Sequence, residues 1–393
     1  MYNTSKEQLV ALQQAGEFEW ESTGYLNFSD IDASIKLYDK KGTLVKESSV
    51  YRQGDTEILM TVVQDSGPYY LAVSSSDGNP SLKPYQLRVK TKMIPGEGHK
   101  ERISGPDRYD TSLAFSNRIP DHSLDVVLLA NGKNYPDALA AVVLNQVMNG
   151  TTLLVNDSDK VLQSAIDETK RLLKKDGKVI ILGGTNAISS NVEKSFEKSF
   201  KVDRISGENR TKTSIEIAKK VKKNPDEIIV VSGLDFADAL SIATYASNTT
   251  TPVLLNTSKI TLTKELEEYV KQHKVKKVTV VGGKSAVTED AVKKLKAAGV
   301  KNVSRVSGTN RYMTSVEVAK KFYPESVAVG IASGKMFPDA LSGSNFASKN
   351  NMPIVLVNGH TMINELTGYL KEAKVEHYYI YGGKNSINAN IVK

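Results

Sequence analysis

Short runs in which apolar and polar residues alternate dominate the first quarter of the chain. Ser34-Ile35-Lys36-Leu37-Tyr38 and Tyr69-Tyr70-Leu71-Ala72-Val73 are two such runs, and turn residues such as Gly67-Pro68 separate them. A period of two with frequent turn signals is typical of half-buried antiparallel strands. The pattern predicts an all-β sandwich over residues 1–95, of which residues 1–19 form a helical or loose lead-in.

A different pattern begins after residues 93–100, where Pro95, Gly96 and Gly98 indicate a linker. Unbroken apolar runs such as Val126-Val127-Leu128-Leu129-Ala130 now alternate with amphipathic segments. Strands that are buried on both faces read as unbroken runs, and their alternation with helices is typical of a parallel sheet with helices on both sides. The region therefore predicts small doubly wound α/β units.

One motif is written three times in this region. It reads Arg, Ile or Val, Ser, Gly, two variable residues, Arg, two variable residues, Thr and Ser, at residues 102–112, 204–214 and 305–315. The copies lie about 100 residues apart, which is the size of a small domain and too long for a solenoid unit. We therefore predict three tandem modules at residues 101–200, 201–301 and 302–393.

Composition excludes several classes of site. With 40% hydrophobic and 24% charged residues the chain is an ordinary globular sequence, and with no cysteine it has no disulfide, thiolate metal site or cysteine nucleophile. The sequence contains no run of about 20 apolar residues, so we expect no transmembrane helix. Residues 1–6 lack the basic start and apolar run of a signal peptide, which leaves a cytosolic protein and a processed secreted protein both open.

Positive charge is concentrated in the repeats. The chain carries a formal net charge of +8, yet residues 1–100 contain 11 Lys and Arg against 13 Asp and Glu. The remaining residues supply the whole excess, with 41 basic against 31 acidic side chains. Such a region can attract nucleic acid, an anionic membrane or an anionic wall polymer, and it is equally compatible with a solvated lysine-rich surface.

Arginine and aspartate recur at fixed places in the three copies. Each motif holds two arginines six residues apart, and an aspartate follows 34 or 35 residues after the first of them, where a helix is predicted to open. A guanidinium can bind an anionic ligand or pair with that carboxylate, and we expect the aspartates to be structural partners. The candidate ligand-binding residues are Arg102, Arg108, Arg204, Arg210, Arg305 and Arg311, and the predicted structural partners are Asp137, Asp238 and Asp339.

A Gly-Gly pair ends the third predicted strand of each copy, at Gly183-Gly184, Gly282-Gly283 and Gly382-Gly383. Lys284 and Lys384 follow the second and third pairs and are further candidates for anion binding. A turn between a strand and a helix can hold an anion on its N–H groups, although a tight turn at a strand end is the simpler interpretation. Neither a dinucleotide-binding glycine motif nor a P-loop is present.

Catalysis has little support in the sequence. None of the five histidines recurs at equivalent places in the repeats, and no metalloprotease, serine-hydrolase or clustered metal-ligand motif is present. We therefore predict a protein that is not an enzyme and has no metal and no cofactor. The repeats also lack aromatic stacking clusters and a dense basic recognition helix, so we expect no nucleic acid partner and no membrane partner.

The triple motif, the Phe/Tyr-x-Asp-Ala-Leu segment that follows it and the Gly-Gly turn together resemble the cell wall binding repeat 2 family over about residues 101–393. The resemblance implies a pseudo-threefold arrangement of three modules. It also implies noncovalent attachment to an anionic, teichoic-acid-like polymer of a Gram-positive cell wall, held in grooves between modules. Thr211, where the other copies have Tyr109 and Tyr312, and Thr185, where the later copies have lysine, depart from the pattern and could make the modules unequal in binding.

Residues 1–95 resemble the bacterial pre-peptidase C-terminal domain, a jelly-roll-like module, on Ala33–Asp39, Gly42, Ser66–Val73 and Tyr85–Leu87. Together the two resemblances imply a secreted protein of the cell wall or cell surface that displays an N-terminal β-sandwich with a binding or spacer role. Other surface-layer proteins are a further partner that they allow. The alternative is an α/β enzyme acting on a nucleotide-sugar or phosphorylated substrate, for which the Gly-Gly turns are the support.

Overall fold

The computed structural model describes residues 8–12, 17–21, 33–38, 43–49, 58–62, 69–75, 88–92, 99–388 and 390–392. The chain divides into two compact units, Met1–Glu97 and Gly98–Lys393. The turns expected at Gly67-Pro68 and Gly42 lie outside the described residues. None of the helices in the described ranges is both long enough and apolar enough to span a bilayer.

The N-terminal unit contains two antiparallel sheets. Its strands are β1 (Gln8–Leu12), β2 (Glu17–Glu21), β3 (Ala33–Tyr38), β4 (Leu44–Ser49), β5 (Ile58–Val62), β6 (Tyr69–Ser75) and β7 (Arg88–Lys92). The sheets have the orders β1-β6-β3-β4 and β5-β2-β7. That these sheets form a sandwich stays a prediction.

The helical or loose lead-in expected over residues 1–19 is wrong for the two segments of it that form strands. Residues 8–12 pair antiparallel with residues 69–73, and β2 is the central strand of its sheet, with ladder partners on both sides. The sequence of β2, Glu-Phe-Glu-Trp-Glu, alternates with a period of two, which is the pattern of a strand and not of a helix.

In the C-terminal unit strands and helices alternate along the chain. The strands are β8 (His99–Ile103), β9 (Leu124–Asn131), β10 (Gly150–Val155), β11 (Leu173–Leu182), β12 (Lys201–Ile205), β13 (Glu227–Ser232), β14 (Val253–Asn256), β15 (Lys277–Val281), β16 (Asn302–Val306), β17 (Ala328–Ser333), β18 (Ile354–Val357) and β19 (His377–Tyr381). The helices are α1 (Arg108–Ser116), α2 (Pro136–Leu139), α3 (Val142–Val147), α4 (Asp159–Leu172), α5 (Ser190–Glu197), α6 (Arg210–Val221), α7 (Ala237–Asn248), α8 (Lys264–Gln272), α9 (Glu289–Ala297), α10 (Arg311–Phe322), α11 (Pro338–Lys349) and α12 (Asn364–Glu372).

These strands form three parallel sheets of the same order. The first sheet is β10-β9-β11-β12, the second is β14-β13-β15-β16 and the third is β18-β17-β19-β8. In each sheet the first central strand, β9, β13 or β17, is one of the unbroken apolar runs of the sequence and is almost fully buried. The prediction of three small parallel-sheet α/β modules is confirmed.

The fourth strand of each sheet comes from the next copy of the repeat. The strand that opens the second copy, β12, completes the first sheet, and β16 of the third copy completes the second sheet. The strand that opens the first copy, β8, completes the third sheet, where His99–Ile103 pair in parallel with His377–Tyr381. The three modules therefore close into a ring, and residues 99 and 100, expected in the linker, belong to a strand.

Three equivalent helices lie at the centre of the ring, where α3, α7 and α11 pack against one another. The alanines, serines and glycine of α7 and α11 are buried in this packing, and α3 buries Val142, Val143, Leu144 and Asn145. At the start of these helical segments Tyr135, Phe236 and Phe337 form an aromatic triangle, with ring centroids 5.5, 5.4 and 6.2 Å apart. The three residues occupy equivalent positions in the copies, and the pseudo-threefold arrangement is confirmed.

Truncation of Ile103 tests the closure of the ring. Ile103 is 2% exposed and pairs with Tyr381, so Ile103→Ala leaves a cavity in the third sheet that should cost about 2–4 kcal/mol. Amide hydrogen exchange should rise first at residues 377–381, far away in sequence. The matched change Ile205→Ala should instead raise exchange at residues 178–182 of the first sheet. A rise after Ile103→Ala that is confined to residues 124–131 would contradict closure.

Candidate anion-binding junctions

Three equivalent junctions lie where one module meets the next, at the carboxyl ends of the strands. Each contains the Gly-Gly turn and the aspartate of one copy together with the two arginines of the following copy. The first junction comprises Gly183-Gly184, Asp137, Arg204 and Arg210; the second comprises Gly282-Gly283, Asp238, Arg305 and Arg311; the closing junction comprises Gly382-Gly383, Asp339, Arg102 and Arg108.

The first arginine of each junction holds the Gly-Gly turn. It lies within the exchanged strand, one residue before its end. Its Nη1 donates to the carbonyl oxygen of the first glycine, at 2.7 Å for Arg204 and Gly183, 2.7 Å for Arg305 and Gly282, and 2.6 Å for Arg102 and Gly382. The guanidinium therefore joins an exchanged strand to the sheet that receives it.

The Gly-Gly turns are tight turns whose first N–H group is already used. Gly183, Gly282 and Gly382 have φ values of +93°, +115° and +98°, a region that favours glycine. Their N–H groups donate to the carbonyl oxygens of Ile205, Val306 and Ile103 at 2.8 to 2.9 Å. These donors are consequently not available to an anionic ligand.

The aspartates lie against these turns. A Cβ atom added to Gly183, Gly282 or Gly382 would stand 2.1 to 2.3 Å from the nearer carboxylate oxygen of Asp137, Asp238 or Asp339. Among the described residues no ion pair within 4.0 Å joins any of the three aspartates to an arginine. Each carboxylate is stabilised in its ionised form by the positive charge of an arginine from the following copy. The pairs are Asp137 with Arg210, Asp238 with Arg311, and Asp339 with Arg108.

Burial raises the pKa of all three aspartates above the ordinary range. The pKa of Asp238 rises to about 6, because burial disfavours its charged form and the nearby charge of Asp235 adds to this, while Arg311 opposes both. For Asp137 and Asp339 burial is again the main cause, opposed by hydrogen bonds from Thr213 and Ser386 and by the neighbouring arginine. The second junction is therefore the one with two interacting carboxylates.

The second arginine of each junction opens a helix and faces the boundary between modules. Helices α1, α6 and α10 begin at Arg108, Arg210 and Arg311, and their N-caps are the side chains of Asp107, Asn209 and Asn310. Each arginine donates from Nη1 to the carbonyl oxygen of Gly132, Gly233 or Gly334 at 2.6 to 2.7 Å. This bond fixes the guanidinium at the end of the first central strand of its module.

Two charged residues of the junctions, Glu193 and Glu289, escaped the sequence analysis. They pair with Arg204 and Arg305, and Asp235 pairs with Arg311. The two predicted lysines are exposed, and Lys284 lies 3.9 Å from Glu289 while Lys384 adjoins the closing junction. The glutamates occupy different places in their repeats, so a comparison of the copies gave no signal for them.

The two glycines of each Gly-Gly pair have different surroundings, so substitutions at neighbouring positions should differ in their effect on stability. Gly282→Ala would place a methyl group 2.3 Å from the Asp238 carboxylate at a φ of +115°, whereas Gly283→Ala meets no atom within 4 Å. We expect the first to lower the free energy of unfolding by about 2–4 kcal/mol and the second by less than about 1 kcal/mol. Denaturant unfolding measures both, and equal losses would contradict the close approach of Asp238 to the turn.

Asp238→Asn should change how stability depends on pH. Because the folded pKa of about 6 lies above the ordinary 3.8, the folded chain keeps a proton that the unfolded chain releases, and wild-type stability falls as pH rises from 4 to 6. The amide does not titrate, so the variant should gain about 1–3 kcal/mol relative to wild type between pH 4 and pH 7. Denaturant unfolding at these pH values gives the difference, and a constant difference would mean that Asp238 has an ordinary pKa.

Comparison with known proteins places the C-terminal unit in a family. The sequence matches the family described as cell wall binding domain 2 (CWB2) at residues 102–193, 204–293 and 305–392. Among curated proteins it is similar to the N-acetylmuramoyl-L-alanine amidase LytC of Bacillus subtilis, with 26% identity over 74% of this chain and 57% of the relative. It is 29% identical to the amidase enhancer of Bacillus subtilis over 74% of this chain and 39% of the relative, so the chain spans about half the length of the curated relatives it matches.

Solved structures show the same fold. Cwp6 from Clostridium difficile superposes with a TM-score of 0.74 at 18% identity, covering 98% of this chain and 66% of that protein. Cwp8 from Clostridium difficile superposes with a TM-score of 0.67 at 22% identity, covering 98% of this chain and 62% of that protein. With three matched copies in the ring, the chain belongs to the cell wall binding domain 2 family.

Proposed function

We propose that the ring of residues 99–392 attaches the protein noncovalently to an anionic secondary polymer of a Gram-positive cell wall. The observation that carries this proposal is the family match, which covers three consecutive copies at residues 102–193, 204–293 and 305–392. The three junctions supply the chemistry, since each brings two arginines of one copy to the edge of another. Phosphate or carboxylate groups of a teichoic-acid-like polymer suit the planar fork of a guanidinium.

The presence of three junctions in one ring strengthens such an anchor. A repetitive polymer can engage several junctions of one ring, and after the first contact the next one is intramolecular. The net positive charge of the repeats attracts the polymer from a distance, and salt should weaken the attraction by screening. Weak individual sites are then sufficient for stable attachment.

The proposed anchor also suggests a role for the N-terminal unit. We infer that the N-terminal unit is displayed from the wall with a binding or spacer role, as its resemblance to the pre-peptidase C-terminal domain suggests, and that the protein is secreted and is not an enzyme. Two relatives are named as an N-acetylmuramoyl-L-alanine amidase and as an amidase enhancer, and this supports a ring that is joined to different functional domains. Association with other surface-layer proteins is compatible with this position.

The hydrogen bonds of the Gly-Gly turns favour the anchor over the enzyme alternative. A phosphate cradle there would require free N–H groups, but the first N–H of each turn donates to a strand carbonyl and the first carbonyl accepts from an arginine. A thermal shift caused by a nucleotide-sugar would restore this alternative.

Cosedimentation of the full chain with purified Gram-positive cell walls tests the anchor. We expect the protein to pellet with intact walls, to remain in solution after acid extraction has removed the anionic polymers, and to be released between about 0.1 and 1 M salt. Bovine serum albumin serves as the control for nonspecific trapping. Failure to bind intact walls, or equal binding to extracted walls, would overturn the proposal.

A further inference from the structure

The three junctions differ in how many of their arginines are neutralised by the protein itself. For the first arginine, Nη2 of Arg204 lies 2.9 Å from Glu193, and Nη2 of Arg305 lies 3.3 Å from Glu289. Arg102 donates instead to two backbone carbonyls, Gly382 at 2.6 Å and Asn388 at 3.2 Å. Within the described part of the chain no carboxylate lies within 4.0 Å of Arg102.

The second arginines differ in the same way. Nη2 of Arg311 donates to Oδ2 of Asp235 at 2.7 Å. Among the described residues Arg108 and Arg210 donate to the glycine carbonyls alone, and no acidic side chain there forms an ion pair with either of them. The position of Asp235 is occupied by Asn134 in the first copy and by Met336 in the third.

The closing junction is therefore the one of the three in which neither arginine has an ion-pair partner among the described residues, although Asp107 and Asp110 lie beside Arg108 at the start of α1. Its buried aspartate, Asp339, lies against the Gly-Gly turn, and the exposed Lys384 follows that turn in the sequence. The first junction keeps one arginine without an ion pair. In the second junction both arginines are paired, and Lys284 lies close to one of the same carboxylates.

We propose that the closing junction is the principal site for an anionic group of the ligand, and that Asp235 is an internal anion which occupies the corresponding place in the second junction. This inference rests on the proposed function and deepens it. The ligand group is an oxyanion, a phosphate or a carboxylate, that bonds the Nη2 side of Arg108, while Nη1 remains on the Gly132 carbonyl. In the second junction a ligand must first displace Asp235, which sits 2.7 Å from the same nitrogen of Arg311.

One consequence is that the principal site depends on closure of the ring. Arg102 and the Gly382 carbonyl that it bonds are 280 residues apart in sequence. The site thus exists only when the first strand of the first copy completes the third sheet. A single isolated repeat does not contain it.

Exchanging the residues that distinguish the copies tests the proposal in the full chain. Met336 is 44% exposed, so Met336→Asp introduces the carboxylate of the second copy into the closing junction without removing a core side chain. The matched control Met336→Asn has nearly the same shape and no charge. In the second junction Asp235→Asn, which copies the residue of the first repeat, removes the internal anion.

Affinity for purified cell walls is measured by cosedimentation at low salt, with circular dichroism and thermal unfolding to show that each variant is folded. We expect Met336→Asp to weaken binding about tenfold, Met336→Asn to leave it within about twofold, and Asp235→Asn to strengthen it about threefold or more. The loss caused by Met336→Asp should shrink in high salt, and millimolar inorganic phosphate should compete with walls for the wild-type protein.

The outcomes separate this inference from the proposed function. Wild-type binding that Met336→Asp leaves unchanged, or that Met336→Asn weakens equally, would overturn the assignment of the closing junction and leave the anchor intact. Weaker binding after Asp235→Asn would overturn the role of Asp235 as an internal anion. Absence of wild-type binding would overturn both.

Discussion

Exchange of the fourth strand is the interaction on which the rest of the C-terminal unit depends. A parallel strand at the edge of a sheet presents unpaired backbone groups, and in each module the next copy satisfies them. Because three copies are present, the exchange closes when the first strand of the first copy reaches the third sheet. The central helices then meet at one axis, and an aromatic residue from each copy meets the other two.

The same exchange creates the junctions. The strand that crosses to the neighbouring sheet carries the first arginine to the Gly-Gly turn, and the helix that follows begins with the second arginine. Each junction consequently combines residues of two copies, although the three copies are alike in sequence. A ring with this connectivity repeats its geometry three times, and differences between the junctions come only from side chains such as Asp235, Asn134 and Met336.

Much of this architecture could be predicted from the sequence, because β9, β13 and β17 at the centre of the sheets are buried on both faces and read as unbroken apolar runs. The exchanged strands could not be predicted in this way. They are short edge strands with polar sequences such as His-Lys-Glu-Arg-Ile, of which only Ile103 is buried. Local pattern also cannot reveal a partner 280 residues away, and for that reason β8 was assigned in part to a linker. The arginines were found as candidates, but their partners were not, since Glu193 and Glu289 stand at different repeat positions.

These arginines can hold the structure together and bind a ligand at the same time. A guanidinium offers five N–H donors on a rigid plane, and one backbone carbonyl occupies only part of it. Arg108, Arg210 and Arg311 each use Nη1 to bond a glycine carbonyl at the end of a strand, which fixes the plane at the boundary between modules. The Nη2 group of Arg311 donates to the carboxylate of Asp235. No carboxylate of the described residues forms an ion pair with Arg108 or Arg210. The structural bond thus preorganises the cation. The residue three positions before the buried aspartate of each copy, Asn134, Asp235 or Met336, determines whether the outer edge of the guanidinium is left for a ligand.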